Sequence, residues 1–124
     1  MTYAFPKRLR LLRPAEFDSV FQRRCSVADG GLIVYASQND LGYPRLGLTV
    51  SRKVGRAVHR TLWKRALREA FRLTQHDLPA LDLICLPRPK CTPDVPHLMA
   101  QLPKIVQRLE RKLQSKHLGR QNAS

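Results

Sequence analysis

Acidic residues are scarce in this 124-residue chain: nine Asp and Glu stand against 23 Lys and Arg, a formal charge of +14. Acids so few and so scattered exclude a site built on clustered carboxylates. Two-metal nuclease chemistry needs such a cluster to hold its ions about 4 Å apart. The one close pair, Glu16 and Asp18, would project from different sides of a helix. No G-x-S-x-G, Walker-type glycine loop or H-E-x-x-H is present either. The three cysteines (Cys25, Cys85 and Cys91) are odd in number and make no C-x-x-C, which argues against a disulfide framework or a zinc site. Cys85, Cys91 and His97 form at best a loose ligand set. Cys85 sits in the run Leu83-Ile84-Cys85-Leu86, where a small buried hydrophobe is the simpler role. We therefore expect no catalytic residue and no metal ligand in this chain.

Long apolar runs are missing as well. None approaches the roughly 20 residues that a transmembrane helix needs, and Met1 to Arg8 lacks the apolar stretch of a signal peptide. A reduced, cytoplasmic setting without a membrane partner is expected. The hydrophobic fraction is nonetheless an ordinary 43%, enough for one domain with a modest core across 1–124. Residues 1–13 read as a basic arm, and 116–124 as a polar tail that frays.

What the chain does contain is a block of cations. Between Ser51 and Arg72 stand Arg52, Lys53, Arg56, Arg60, Lys64, Arg65, Arg68 and Arg72, with Glu69 as the sole acid. The same stretch keeps Trp63, Leu67, Ala70 and Phe71 at helical spacing. It predicts a helix with one stripe for a core and a broad cationic face. Like charges at i, i+4 (Arg60, Lys64, Arg68, Arg72) cost a few tenths of a kcal/mol per pair, a cost that a polyanion would offset. A merely solvated helix would interleave Glu with Lys, and this one does not. The expected partner is nucleic acid, gripped through its phosphates and released by salt.

The remaining elements read in order. Pro14 opens a short amphipathic helix with Phe17, Val20 and Phe21 inward. Cys25 to Gly31 reads as a loop, and Leu32–Ala36 as a strand. Asn39–Pro44 is turn chemistry of hairpin length. Over Arg45–Ser51, Leu46, Leu48 and Val50 alternate with Arg45, Gly47, Thr49 and Ser51, which marks a strand with one face on the core and the other open to a ligand. The basic helix then spans from near Ala57 to Leu73, and Leu81–Leu86 reads as a buried central strand. A last helix carries Leu98, Leu102, Ile105, Val106, Leu109 and Leu113 on one side, and Lys104, Arg108, Arg111 and Lys112 on the other. The order α-β-β-α-β-α gives an α+β fold, a two-layer sandwich of a small mixed sheet and about three helices. His59, among cations at the head of the basic helix, is better suited to a phosphate or structural contact than to general-base work. A DNA-binding helix-turn-helix needs two closely coupled helices, whereas apolar strands flank this one.

The segment from Gly47 to Phe71 (GLTVSRKVGRAVHRTLWKRALREAF) is similar to the signature of the bacterial ribonuclease P protein subunit. That family shows S-x-K-x-G-x-A-V-x-R leading into R-N-R-x-K-R-x-x-R. The likeness extends over about 5–115, including Arg13, Phe17 and Val20-Phe21 in the first helix and Asp82 to Arg88 in the later strand. One departure stands out: Arg60-Thr61-Leu62 replaces R-N-R, so contacts from the second and third positions do not carry over.

The resemblance implies the protein component of an endoribonuclease that frees the 5′ leader from precursor tRNA. The chemistry would belong to a catalytic RNA and its Mg²⁺. The protein would hold the single-stranded leader in a cleft between first helix and sheet. Phe17, Phe21 and Tyr35 are then candidates for stacking on leader bases, with plain core packing as the alternative role. Arg52, Lys53, Arg56, Arg60, Lys64, Arg65, Arg68 and Arg88 are candidates for RNA phosphates. Composition alone would equally suit a non-catalytic structural RNA-binding protein such as a ribosomal component.

Overall fold

In the computed structural model of the chain, residues 5–122 are described, the side chains of 116–122 excepted. Helix α1 is Pro14–Gln22, followed by strands β1 (Ser26–Asp29), β2 (Leu32–Gln38) and β3 (Arg45–Leu48). Helix α2 (Ala57–Thr74), strand β4 (Leu81–Pro87) and helix α3 (Val95–Asn122) complete the chain. The class and the order of elements match the expectation, with β1 added in the segment read as a loop. That strand is short and follows Arg24, which takes a positive φ of 53°; neither feature shows in hydrophobic periodicity.

The sheet runs β1-β2-β4-β3, antiparallel except for the parallel β3–β4 pair. Asn39–Pro44 therefore does not close a hairpin between β2 and β3. β4 lies between them, and α2 is the crossover that a parallel pair requires. The true hairpin joins β1 to β2 through Gly30, which takes a φ of 58°. β4 is central as expected, and six of its seven residues are buried.

Alternation divides the sheet into two faces. Leu32, Val34 and Ala36 of β2, Leu46 of β3, and Leu83 and Cys85 of β4 join Trp63, Leu67 and Phe71 of α2 and the predicted apolar stripe of α3 in the main core. Leu98, Leu102, Ile105, Val106, Leu109 and Leu113 are all buried, each contributing about 1.5–3 kcal/mol relative to exposure. Burial pushes the Cys85 thiol up to about 12, so it stays protonated and inert. The opposite face carries α1. Val20, Ile84 and Leu11 form a smaller core there, with Phe17, Phe21, Tyr35 and Leu86 half-buried around it.

The basic arm is docked against the sheet. Residues 1–4 lie outside the described residues, but Leu9 and Leu11 are buried, and the Leu11 N–H donates to the Leu46 carbonyl at 2.9 Å. The arm thus covers the outer edge of β3, which would otherwise expose unpaired backbone groups. Of the tail expected over 116–124, residues 123–124 lie outside the described residues, and the backbone to Asn122 continues α3. No helix among the described residues is long and apolar enough to cross a membrane.

An ion network pins α1 to the sheet. Arg45 donates to both oxygens of Asp82 at 2.8 and 2.7 Å and to Glu16 at 2.7 Å. Glu16 also accepts the N–H groups of Arg13 (2.9 Å) and Leu12 (3.1 Å), donors that a helix start leaves unmet. These two backbone hydrogen bonds, then Arg45, hold the Glu16 carboxyl below its usual value of 4.5. A carboxylate whose pKa falls on folding contributes stability above its unfolded pKa and loses it as pH falls through the folded one. Glu16→Gln should therefore lower the urea midpoint at neutral pH and flatten its decline below about pH 4.5. A variant that follows the wild-type acid profile would show that Glu16 does not couple folding to protons.

Candidate nucleic-acid interface

Because β3 and β4 are parallel, the segments leaving them emerge at one end of the sheet. Arg52, Lys53 and Arg56 follow β3, and Arg88 follows β4; all four are exposed. The Arg88 N–H donates to the Gly31 carbonyl at 2.8 Å, fixing the backbone from which that side chain projects. Gly55 makes the turn into α2 at φ 155°, and a Cβ there would lie 2.8 Å from His59 Cδ2. Glycine is required for both reasons.

The head of α2 is held by one carbonyl. Trp63 donates its indole N–H to Cys91 O at 3.2 Å, and His59 Nε2 lies 3.1 Å from the same oxygen. His59 is the donor in that bond, so Nε2 carries the hydrogen. Its role here is structural, one of the two expected for it. Trp63, Ala66, Leu67, Ala70, Phe71 and Thr74 form the buried stripe of α2.

The cations of α2 divide by angle around the helix. Arg60 and Lys64 are half-buried, Lys64 beside Leu46 and Leu48 of β3, whereas Arg65 and Arg68 are exposed. Arg60 Nε is shielded from water and has no acceptor among the described residues, an unmet donor in the cationic face. Arg72 is tied to Glu69 at 2.6 Å, a bond that lowers the Glu69 pKa.

Two grooves flank this ridge. The smaller, about 210 Å³, is lined by Lys64 and Arg68 of α2, Leu46 and Leu48 of β3, Phe17 of α1, and Phe5, Arg10, Leu11 and Leu12 of the arm. The larger, about 830 Å³, lies between α2 and the segment entering α3. Phe5 and Arg10 line both, and the Arg10 guanidinium stacks 4.6 Å from the centre of the Phe5 ring. Sequence pattern placed Arg10 in the arm but assigned it no site. Among the arm cations Lys7, Arg8, Arg10 and Arg13 nothing in the sequence singles out Arg10; the docking of the arm on β3 does.

The aromatic trio does not form one platform. Ser26, Tyr35, Ile84 and Gly47 form a row across the sheet, and α1 crosses along it. Phe17 covers Gly47, where a Cβ would meet its ring at 2.8 Å, and it faces the small groove with Lys64 and Arg68. Phe21 and Tyr35 pair edge-to-face over β2, centroids 5.0 Å apart at 73°. The open face expected for β3 is also corrected. Arg45 is locked to Glu16 and Asp82, and Gly47 lies under Phe17.

Known proteins share this fold. The sequence profile described as Ribonuclease P matches residues 5–110. The ribonuclease P protein component of Proteus mirabilis is 48% identical over 86 residues, 68% of this chain and 72% of that one. Among solved structures, the Staphylococcus aureus RNase P protein superposes with a TM-score of 0.69 at 30% identity, covering 80% of this chain and 93% of that one. The Thermotoga maritima RNase P protein gives a TM-score of 0.70 at 28% identity, covering 80% and 96%. With fold and sequence in agreement, the chain belongs to the ribonuclease P protein family, that of the protein component of the holoenzyme.

Proposed function

We propose that the chain acts as a single RNA-binding domain of the ribonucleoprotein that removes the 5′ leader from precursor tRNA in the cytoplasm. The observation that carries this reading is the cationic face of α2 lying beside a groove that Phe17 also lines. Arg52, Lys53, Arg56, Arg60, Lys64, Arg65, Arg68 and Arg88 contact phosphates of the catalytic RNA. Phe17, facing the small groove, and the Phe21–Tyr35 pair beyond it meet the unpaired leader. Stacking tolerates any sequence, as a subunit that handles many leaders requires.

The chemistry in this reading resides in the RNA. Mg²⁺ takes oxygen ligands, and the acids around α1 and α2 are already engaged, Glu16 and Asp82 by Arg45 and Glu69 by Arg72. Among the described residues, no three His, Cys, Asp or Glu gather into a ligand set. That donor chemistry does not suit a protein-held ion, so the Mg²⁺ is assigned to the RNA. The protein's cations offset phosphate repulsion there, which lets the folded RNA bind its ions at lower Mg²⁺. The protein alone should accordingly leave precursor tRNA intact, and should restore cleavage when added to the RNA subunit at low Mg²⁺. RNA-free protein that cut at the mature 5′ end, with contaminating nuclease excluded, would overturn this assignment.

Replacing Arg60, Lys64 and Arg65 together by Ala should weaken binding of the RNA subunit and flatten its salt dependence. Each phosphate that is no longer neutralised should reduce the log–log slope by about 0.9 for duplex or 0.7 for single-stranded RNA. The fold should persist, because the buried stripe of α2 is untouched. An unchanged slope would make this face a solvated surface.

Tyr35→Ala should weaken holoenzyme binding of precursor tRNA by about 1–3 kcal/mol if one leader base stacks there, and should spare mature tRNA. Because Tyr35 also packs on Phe21, the melting temperature must be measured in parallel. Equal losses on both substrates, together with a lower melting temperature, would assign Tyr35 to packing alone.

A further inference from the structure

Val58 and Leu62, one turn apart on α2, are 75% and 48% exposed in the midst of the cationic face. An exposed apolar side chain that lines a groove, unlike one scattered singly, marks a candidate binding surface. Leu62 belongs to the wall of the larger groove, with Phe5, Ala66 and Val95. Arg65 and Arg68 stand in the same lining, and neither has an ion pair among the described residues. The one acid in the lining, Glu69, is already held by Arg72 at 2.6 Å. The groove therefore has apolar walls and uncompensated cations.

Its occupant must combine an apolar surface with negative charge. A nucleotide has both, in a flat base and a phosphate. The volume of about 830 Å³ falls in the range of roughly 300–1,000 Å³ typical of sites for small molecules. The groove also runs along the same helix that presents Lys64 and Arg60, so an RNA lying on that face would reach it. We propose that the groove seats one unpaired nucleotide of the catalytic RNA, its base against Leu62 and Ala66 and its phosphate toward Arg65 and Arg68. The proposal rests on the reading that α2 faces that RNA. Leu62 then supplies apolar contact where the family's signature has an arginine.

The test compares Leu62→Ser, Leu62→Phe and Arg65→Ala in the reconstituted complex with the RNA subunit. Leu62→Ser should weaken RNA binding about fivefold, the effect of returning half a leucine side chain to water. Its salt slope should stay unchanged, since every phosphate keeps its cation. Leu62→Phe should bind at least as tightly as wild type, whereas Arg65→Ala should lower both affinity and slope. One unpaired nucleotide of the RNA should be shielded from base-specific modification by wild type and exposed again with Leu62→Ser. Wild-type affinity for Leu62→Ser alongside a weakened Arg65→Ala would overturn the groove and leave the RNA-facing helix intact. If neither substitution matters, the reading of α2 fails as well. Should wild type form a dimer in sedimentation that Leu62→Ser dissociates, with RNA affinity unchanged, the face belongs to a second copy of the chain and the proposal is wrong.

Discussion

The arrangement of the smaller groove depends on how Arg45 is held. A nine-residue helix such as α1 is too short to persist on its own, so its position comes entirely from what it docks on. Arg45 joins that helix to the sheet by gripping Asp82 through two hydrogen bonds and Glu16 through one. Asn39 adds a further bond to Asp82 at 2.8 Å. The Asp82 side chain is only 10% exposed and that of Arg45 18%, so removing one partner leaves a largely desolvated charge, at a cost of about 3–5 kcal/mol in fully buried pairs. The network also fixes rotation. With Glu16 turned toward Arg45, Phe17 falls over Gly47 and Phe21 against Tyr35.

The second constraint is the anchoring of a helix that repels itself. Arg60, Lys64, Arg68 and Arg72 follow one another at i, i+4, each step unfavourable by a few tenths of a kcal/mol. The buried stripe from Trp63 to Thr74 outweighs this, because Leu67, Ala70 and Phe71 are fully removed from water, and one such large side chain contributes about 1.5–3 kcal/mol. The Cys91 carbonyl, accepting from both His59 and Trp63, ties the head of the helix to the β4–α3 connection. Charge can therefore collect on the outer face without threatening the fold.

Much of this could be read in the sequence, wherever a periodic pattern coincided with burial. The stripe of α3, the limits of α2 and the burial of β4 all follow from apolar spacing alone. The pairing of strands did not, because β2 and β3 are neighbours in sequence with turn residues between them, and only the parallel crossover places β4 between them. β1 was hidden because this four-residue edge strand buries a single residue, Val27, too little to show a period. The face of β3 was misjudged for a related reason. Alternation shows which side chains leave the core, and it is silent on what covers them; here Glu16 and Phe17 of α1 do so. Phe17, Phe21 and Tyr35 pack around one small core, and their division between a groove and a packed pair depends on register across three strands.

The scarcity of acids acquires a structural meaning from their placement. Glu16 on α1 and Asp82 on β4 together neutralise the single guanidinium of Arg45. Glu69 is engaged by Arg72 on its own helix. Each of these carboxylates thus compensates a cation that is structurally committed, and none is set against Arg60, Lys64, Arg65 or Arg68. In water such uncompensated charges are screened beyond about 8–10 Å. Within the two grooves, one walled by Phe5, Leu62 and Val95 and the other by Phe5 and Leu48, the low-dielectric surroundings let their fields add. With these acids engaged by Arg45 and Arg72, the positive potential is concentrated along both sides of α2.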